Sequence, residues 1–552
     1  MKKTTFTLTF LLFFVCGILP AQQSKSNFSY DRIALTVVYV DDPTPDEHMT
    51  TAIRNSAKNN YLKGIKIPDR YDDNAIPSKV ISFDLSNSSY VMSDSVKLIS
   101  AIYQANLTRQ MVEKWFARKS DGQFSMDLIK ERGLYNATDD DYLTSVASQR
   151  KNAALEDMGE KLIQKNYLLM INHSDIEPQK DSNGKVHYSG SARAYLYQLI
   201  WDEETGSNFY NNLWINDDDS EVVKKQKIDQ FNNTTFKVKY VKSFRIDKSQ
   251  SLTIGLDKMS DGEKIDHINA QFVEGIIEKL AGISSDFTVK KHLIASDPPA
   301  ATIGSKEGLY VDQRFFVYET VMNRNKSTSE KRRSVIRVKK VSNNKRVTEG
   351  KTTPSVFYQV ASGEIDHYGM YIQEKNDFGL SLSINKVSGG IGGVDFMAAY
   401  RVSRFIGFPG LQVYADLGFD KQAYNYSYYG YERDSHSFTR FSIGILKEYH
   451  LFKVFEASWK VGYGGESTEL TGNKEAEDQI DLSGQFFLLG GRLGMNVLHN
   501  VQLVSGVNLN MPFGKASLTV GDAESVDQEE GWTYYFEDRK GLNMFLGLKI
   551  LF

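Results

Sequence analysis

The chain has 552 residues, with 66 Lys plus Arg against 69 Asp plus Glu and a formal net charge of −3. This near-balance excludes the strongly basic surface of a dedicated nucleic-acid-binding protein. Hydrophobic residues make up 41% of the chain, which includes 30 Tyr and 32 Phe, and this excludes intrinsic disorder as its general state. The length predicts about three or four folded units.

The first residues are typical of a secretory signal peptide. Two lysines precede an apolar run from Phe6 to Leu19, and Ala21 offers a small residue at which a signal peptidase could cut. We expect cleavage after Ala21, which would remove the single cysteine, Cys16. Acylation of Cys16 is the alternative, although Val15 is branched where lipoprotein processing requires a small residue. Residues 1–21 therefore predict export.

Residues 22–300 predict a mixed α/β region of one or two domains. Short apolar runs at 33–40 and 168–171 indicate buried strands. Apolar residues at helical spacing indicate three helices, at 96–117, 153–164 and 263–280.

Residues 301–365 predict a small β module of four or five short strands separated by Gly or Asn turns. The segment from Gly304 to Glu319 resembles the SH3-like carboxy-terminal modules of periplasmic assembly proteins, and this resemblance implies a docking role. Clustered cations attract phosphate and carboxylate groups, so the module also offers a possible anion-binding surface. Its members are Lys331, Arg332, Arg333 and Arg337. A solvated hairpin face is the alternative.

The last third of the chain alternates apolar and polar residues with a period of two. Eight segments show this pattern: 378–385, 394–403, 411–420, 439–447, 455–463, 485–497, 501–511 and 542–552. Transmembrane β-strands alternate in this way because successive side chains face lipid and lumen. Short links follow the second, fourth and sixth segments, and long polar loops follow the third, fifth and seventh. We therefore predict an antiparallel eight-stranded transmembrane barrel over residues 366–552, after an α+β region and a small β module.

The final segment carries a resemblance to a known family. Leu548, Ile550 and Phe552 lie on its apolar face and end in a carboxy-terminal aromatic residue. In this respect residues 366–552 resemble the OmpA/OmpX-like eight-stranded outer-membrane barrels. The resemblance implies that these three residues are the signal read by the barrel-insertion machinery, and that outer-membrane lipid surrounds the barrel. An even strand number puts both barrel ends on the short-turn side, so we expect residues 22–365 in the periplasm. A soluble antiparallel domain is the alternative.

The alternation assigns several charged residues to the barrel interior. Side chains fill an eight-stranded barrel, and a buried charge without a partner is costly. We therefore expect ion pairs across the lumen and a plug rather than a pore; a proton or ion path is the alternative. The candidates are Asp395, Arg401, Asp416, Arg440, Glu456, Lys460 and Arg492.

The loop after the third segment is rich in tyrosine. Its members are Tyr424, Tyr426, Tyr428, Tyr429 and Tyr431. Tyrosine offers large, rigid contact area with a polar tip, which suits surface recognition. An aromatic girdle at the membrane surface is the alternative.

Catalytic motifs are absent from the sequence. The nine histidines form no HExxH pair, and there is no GxSxG elbow and no phosphate-binding loop. We predict no cofactor and no metal, and we favour a non-enzymatic, outer-membrane-anchored envelope protein whose periplasmic region binds a periplasmic protein or peptidoglycan. One alternative is an outer-membrane-tethered periplasmic hydrolase. Another is a surface ligand-binding protein or adhesin that uses the tyrosine-rich loop.

Overall fold

The structure is a computed structural model of the chain. It describes residues 31–552 apart from 44–49, 86–90, 137–155, 158, 183, 252, 254, 323–327, 346–352, 362, 423–425, 429–430, 434–435, 453, 470–479 and 521–524. The predicted signal peptide and Cys16 lie outside the described residues. The described chain forms three successive parts, which we name the α/β domain (31–288), the β module (289–375) and the barrel (380–552).

The α/β domain is built on a six-stranded mixed sheet. Its strands are β1 (Ala34–Asp41), β2 (Asp72–Asp73), β3 (Val80–Ser82), β4 (Asn166–Lys180), β5 (Val186–Leu199) and β6 (Val238–Ser249). The order is β2-β1-β4-β5-β6, with β3 also beside β1. Strand β1 runs parallel to β2, β3 and β4, whereas β5 and β6 continue the sheet in antiparallel fashion. The apolar runs that predicted strands lie in β1 and β4, so both predictions are confirmed.

Helices cover both faces of this sheet. They are α1 (Thr51–Lys63), α2 (Val91–Gln104), α3 (Leu107–Trp115), α4 (Asp127–Asn136), α5 (Glu203–Asn208), α6 (Glu221–Asn233) and α7 (Asp261–Leu280). Helices α1 and α7 pack on one face and α2 and α3 on the other, which gives two apolar cores. The helix predicted at 96–117 is divided, because Asn106 adopts a left-handed conformation between α2 and α3. In the described part of the chain, no helix is long and apolar enough to cross a membrane.

The β module is a seven-stranded antiparallel sheet. Its strands are β7 (Lys290–His292), β8 (Ala295–Ser296), β9 (Pro299–Ala301), β10 (Arg314–Met322), β11 (Thr328–Lys340), β12 (Ser355–Ala361) and β13 (Met370–Glu374), in the order β7-β13-β10-β11-β12-β9-β8. The sheet therefore extends beyond the predicted 301–365 at both ends. The additional strands at its ends are only two to five residues long, which is too short for alternation to mark them in the sequence.

The barrel has eight long strands. They are β14 (Leu380–Gly389), β15 (Gly393–Arg401), β16 (Leu411–Gln422), β19 (His436–Leu451), β20 (Phe455–Glu469), β21 (Ile480–Leu498), β22 (Val501–Val520) and β24 (Gly541–Leu551). The loops contain the short strands β17 (Tyr426–Tyr428), β18 (Tyr431–Arg433) and β23 (Val526–Asp527), and the one-turn helices α8 (Ser403–Ile406) and α9 (Trp532–Tyr535).

These strands form a closed cylinder. Successive long strands pair antiparallel, and β14 pairs with β24 to close the sheet. All eight predicted segments are strands, and the predicted fold class is confirmed. Strands β19 and β20 extend past their predicted ends, so Tyr449 and His450, where a short link was expected, lie within β19. We name the two ends of the barrel the short-turn end, where both barrel termini lie, and the long-loop end.

The outer surface of the barrel is apolar and its interior is polar. Along β16, the side chains of Val413, Leu417 and Phe419 are exposed, whereas those of Gln412 and Asp416 are buried in the lumen. A soluble protein buries such apolar residues, so this arrangement is the reverse of a water-exposed surface. It is the arrangement of a strand that crosses a bilayer with one face toward lipid.

The three parts contact one another in series. Arg70 of the α/β domain binds Glu374 of the β module, with its Nη1 3.0 Å from each carboxylate oxygen. Tyr135 of α4 donates a hydrogen bond to the carbonyl of Lys306. The β module in turn covers the short-turn end of the barrel, where Asn496 donates to the carbonyl of Val360. The α/β domain is therefore joined to the barrel through the module.

Candidate functional site

A buried ion network fills the short-turn end of the barrel. Its barrel members are Arg401, Glu448, Glu456, Arg492 and Lys549. Glu448 accepts hydrogen bonds from Arg401 Nη2 at 2.6 Å and from Lys549 Nζ at 2.5 Å. Glu456 lies 2.9 Å from Arg492 Nη2 and 3.1 Å from Lys549 Nζ. Each strand places its member in the lumen because the period-two alternation turns that residue inward.

The β module contributes one further residue to this network. Asp312, in the turn before β10, is 2% exposed and has a left-handed backbone with φ of 67°. Its carboxylate lies 3.0 Å from Arg401 Nη1 and accepts hydrogen bonds from the Gly410 amide at 2.7 Å and the Tyr358 hydroxyl at 2.6 Å. The Ser403 hydroxyl also donates to it. Four groups therefore satisfy one buried carboxylate, two of them from the barrel's first short turn.

Asp312 also completes the charge of the network. The barrel strands supply three cations, Arg401, Arg492 and Lys549, but only two carboxylates. Asp312 is the third carboxylate. Burial alone would raise the pKa of Asp312, but the Arg401 charge and the Ser403 hydroxyl hold that pKa below its usual range. Asp312 is therefore ionised and balances Arg401.

The middle of the lumen is filled by further ion pairs and by rings. Asp395 pairs with Arg440 at 2.5 Å, and Asp416 pairs with Lys460 at 3.2 Å. A methyl group on Gly462 would overlap the Tyr414 hydroxyl, so glycine is required where this ring crosses the lumen. One cavity among these residues has about 10 Å³ of free space, close to the minimum that holds one water molecule. All seven sequence-predicted lumen residues lie inside the barrel, and each has an oppositely charged partner.

A loop closes the long-loop end. Arg539, in the segment before β24, enters the lumen and pairs with Glu466 and with Asp420, the latter at 2.9 Å. Trp532 and Phe536 from the same loop are buried in an apolar cluster that also contains Phe438, Leu482 and Ala516. Both ends of the barrel are therefore covered, one by the β module and the other by the barrel's own loop.

One group of side chains has the composition of a metal site. Oxygen or nitrogen atoms of Glu448, His450 and Glu456 lie within 4.8 Å of one another. Lys549 and Arg492 already bind both carboxylates from within the same network. Two cationic side chains thus occupy the positions around the carboxylates that a metal ion would need, so this group is part of the ion network.

Two of the four predicted anion-binding residues are ion-paired and two are exposed. Arg337 is buried and pairs with Asp377, and Arg333 pairs with Glu319. These two ion pairs remove Arg333 and Arg337 from an open basic surface. Lys331 and Arg332 are exposed. The surface that could meet an anion is therefore smaller than the predicted set of four.

The other predicted site residues lie on the barrel surface and in its loops. Leu548, Ile550 and Phe552 point outward at the end of β24, where their side chains are 46%, 41% and 45% exposed. Of the tyrosine-rich loop, the structure describes only the backbone of the β17–β18 hairpin, which contains Tyr426, Tyr428 and Tyr431. Tyr424 and Tyr429 lie outside the described residues.

The α/β domain carries an open groove between α5 and α6, with a volume of about 970 Å³. Its lining includes three charged residues, Glu221, Lys225 and Asp229, and five amide side chains: Asn208, Asn212, Gln226, Gln230 and Asn233. An amide both donates and accepts hydrogen bonds without a charge. The five amides therefore suit a ligand rich in hydroxyl and amide groups. Isolated amides at helical spacing do not distinguish a groove from a solvated helix face, so sequence reasoning did not find it.

Comparisons with known proteins concern the barrel fold. No protein-family model matches the sequence. No curated protein matches it either. Solved structures with similarity include a major outer membrane protein from Thermus thermophilus, at 14% identity and a TM-score of 0.24 over 31% of this chain and 98% of that one. The N-terminal β-barrel domain of Pseudomonas aeruginosa OprF is similar at 10% identity and a TM-score of 0.20, over 32% and 100%. Yersinia pestis Ail is similar at 11% identity and a TM-score of 0.20, over 31% and 95%.

The observations on the barrel agree with one another. It has eight antiparallel strands in a closed cylinder, an apolar exterior, an interior of paired charges, and turns that are short at one end and long at the other. The protein is therefore an outer-membrane protein whose barrel resembles the OmpA/OmpX-like eight-stranded type.

Proposed function

We propose that the barrel is a closed anchor that holds the β module and the α/β domain in the periplasm, where the α/β domain binds peptidoglycan. The protein acts by binding and not by catalysis. The periplasmic location and the binding role are those predicted from the sequence, with peptidoglycan as the ligand.

One observation carries the anchoring role. Asp312 of the β module balances Arg401 inside the barrel, so separating the two parts would leave an uncompensated cation in the lumen. Breaking a buried pair in this way is strongly unfavourable. A flexible tether would not need such a contact. The pair therefore supports a rigid attachment of the β module to the barrel. The ion pair between Arg70 of the α/β domain and Glu374 of the β module extends this attachment to the α/β domain.

Hydrogen exchange on the full-length protein in detergent tests the attachment. In Asp312→Asn, amides of β10 and β12 should exchange about tenfold faster or more, because the module loses its hold on the barrel, while amides of β14 to β16 keep their protection. Asp366→Asn removes an exposed carboxylate from the same module and should change neither set. Unchanged exchange in β10 and β12 of Asp312→Asn would contradict a rigid attachment.

The groove between α5 and α6 supports peptidoglycan as the ligand. Peptidoglycan presents hydroxyl, N-acetyl and peptide amide groups, which amide side chains bind without a net charge. Helix α6 exposes Gln226, Gln230 and Asn233 along this groove. A hydrolase would need acid or base groups there; the titratable lining residues are Glu221, Lys225 and Asp229, of which Glu221 pairs with Lys224.

Cosedimentation with purified peptidoglycan sacculi tests the ligand. The full-length protein should sediment with sacculi, and Gln226→Ala/Gln230→Ala/Asn233→Ala should remain in the supernatant. Asn55→Ala/Asn59→Ala on α1 removes exposed amides outside the groove and should sediment like the wild type. Wild-type protein that stays in the supernatant, or release of soluble fragments from the sacculi, would overturn this assignment in favour of a protein partner or of hydrolysis.

Gel migration of membrane extracts tests the placement. A folded outer-membrane barrel resists detergent until it is heated, so the unboiled protein should migrate faster than the boiled protein, and deletion of the barrel, residues 380–552, should abolish the difference. In intact cells, added protease should leave the α/β domain uncut, whereas permeabilised cells should lose it. Cleavage of the α/β domain in intact cells would place that domain outside the cell.

A further inference from the structure

Three cations gather around one ring where the β module meets the barrel. Arg314 and Arg332 lie with their guanidinium carbons 5.9 and 4.8 Å from the centre of the Phe316 ring, and the Lys375 ammonium lies 5.9 Å from it. His499, in the turn between β21 and β22, lies against the same ring at 5.7 Å. We name Arg314, Arg332 and Lys375 the rim cluster.

The rim cluster has no counter-charge within the described chain. None of its three members forms an ion pair with a described carboxylate; Asp377, which acts on Arg314 from a distance, is paired with Arg337. Arg314 is 3% exposed, and its Nε has no hydrogen-bond partner among the described residues. Burial, together with the charge of Arg337, lowers the pKa of Arg314 to about 10. The charges of the buried ion network in the barrel are each paired with an opposite charge, so the unpaired Arg314 indicates a place for an anion beside it.

The position of the rim cluster shows which layer of the membrane it faces. Arg314 donates to the carbonyl of His499, and Arg332 Nη2 lies 3.3 Å from His499 Nδ1. Val497 and Leu498, immediately before this turn, are 54% and 59% exposed on the lipid side of β21. The rim cluster therefore lies at the level where the apolar surface ends, which is the level of phospholipid headgroups.

We propose that the rim cluster binds the phosphate of an anionic phospholipid headgroup, with the acyl chains on the apolar surface beside Leu498. Two exposed cations, Arg332 and Lys375, reach the headgroup, and the buried Arg314 adds charge from behind. Guanidinium groups bind phosphate through paired hydrogen bonds, which suits them to this role. The inference rests on the barrel's spanning a bilayer, but on neither peptidoglycan binding nor the Asp312 contact.

Native mass spectrometry of the full-length protein in detergent tests this site. The protein is titrated separately with phosphatidylglycerol and with phosphatidylcholine, and bound lipid is counted. We expect wild-type protein to prefer phosphatidylglycerol by about tenfold or more, and Arg332→Gln/Lys375→Gln to lose most of that preference, because each cation near an anionic headgroup adds to its binding. Both side chains are exposed, so the variant should fold.

A control and two further measurements make the result decisive. Lys185→Gln/Lys242→Gln removes two exposed positive charges from the α/β domain and should keep the preference. Each variant must also show the heat-dependent gel shift, so that loss of the barrel is separated from loss of the site. An unchanged lipid preference in Arg332→Gln/Lys375→Gln would overturn the proposal. Complete displacement of the lipid by excess inorganic phosphate would also overturn it, because the site would then take the free anion.

Discussion

Arg539 and Glu466 form a bidentate ion pair inside the long-loop end of the barrel, although 73 residues separate them in sequence. The Arg539 guanidinium also lies 3.6 Å from the centre of the Phe438 ring. A loop residue thus binds the barrel wall from within, so the loop before β24 is a part of the barrel interior.

Replacing Arg539 should loosen this end. Arg539→Gln leaves Asp420 without its cation and Glu466 with only Arg440, at 3.9 Å, and we expect a loss of about 3–5 kcal/mol in stability. The temperature at which the unboiled gel form is lost should fall. Lys540→Gln removes the exposed charge next in sequence and should leave that temperature unchanged. Equal temperatures for wild type and Arg539→Gln would show that the pair is not needed for closure.

The apolar part of the same loop should contribute independently. Trp532→Ala removes a buried ring that packs on Phe536 and Phe438, and large-to-small changes of this kind cost about 3–5 kcal/mol. We expect faster cleavage of the loop by added protease in the folded protein. Tyr534→Ala, in the same helical turn but 69% exposed, should be cut at the wild-type rate. Wild-type cleavage of Trp532→Ala would contradict the packing.

The filled lumen predicts that the protein does not conduct ions. The cavity among Asp395, Lys460 and Arg492 has about 10 Å³ of free space, and both barrel ends are covered. Full-length protein in planar bilayers should therefore give no stepwise current above the bare-membrane background. Channels of constant size that appear in proportion to added protein, and that are absent with boiled protein, would contradict a closed barrel.

A buried histidine should make the α/β domain sensitive to acid. His173 of β4 donates from Nδ1 to Asn269 Oδ1 at 2.8 Å and accepts from the Tyr61 hydroxyl at 3.1 Å, so it links α7 and α1 in its neutral form. Burial lowers the pKa of His173 to about 4, against 6.5 for an exposed histidine. The unfolded chain therefore binds a proton first as the pH falls.

This earlier protonation of the unfolded chain destabilises the α/β domain as the pH falls. The contribution of His173 to the stability of the α/β domain is fully present above pH 6.5. This contribution declines by roughly 3 kcal/mol as the pH falls toward 4, and it changes no further below that pH. Exchange protection of α7 in the full-length protein should show this decline. His173→Phe should be less stable at pH 7 but should lose the decline, whereas His267→Gln on α7 should retain it. A decline that persists unchanged in His173→Phe would assign it to other groups.

The barrel could be predicted from sequence because lipid imposes a strict rule on each strand. Val413 to Phe419 alternate without exception, since every second side chain must face hydrocarbon. Where a strand extends beyond the bilayer, its outward side chains no longer have to be apolar, so the alternation that indicates a strand in the sequence ends there. This is why β19 and β20 were predicted too short, and why Glu448 and Glu466, which lie past the predicted ends, were not among the expected lumen charges.

The docking contact could not be predicted for a different reason. Asp312 lies in a turn of the β module with no periodic pattern, 89 residues before Arg401. Its role arises only when the module covers the barrel. The excess of cations is local to the short-turn end, where three cations meet two carboxylates, and the sequence does not show which lumen charges meet there.

The carboxylate that completes the short-turn end belongs to a different sheet from the cations it balances. A barrel of equal strand number taken from another protein would have its own internal charges. Asp312 would then enter a lumen that has no unpaired cation for it to balance. The barrel produced alone would keep an excess cation in its interior. The module and the barrel are thus separate sheets that share one balanced set of charges. A chimera that replaces either part must therefore keep Asp312 and Arg401 together.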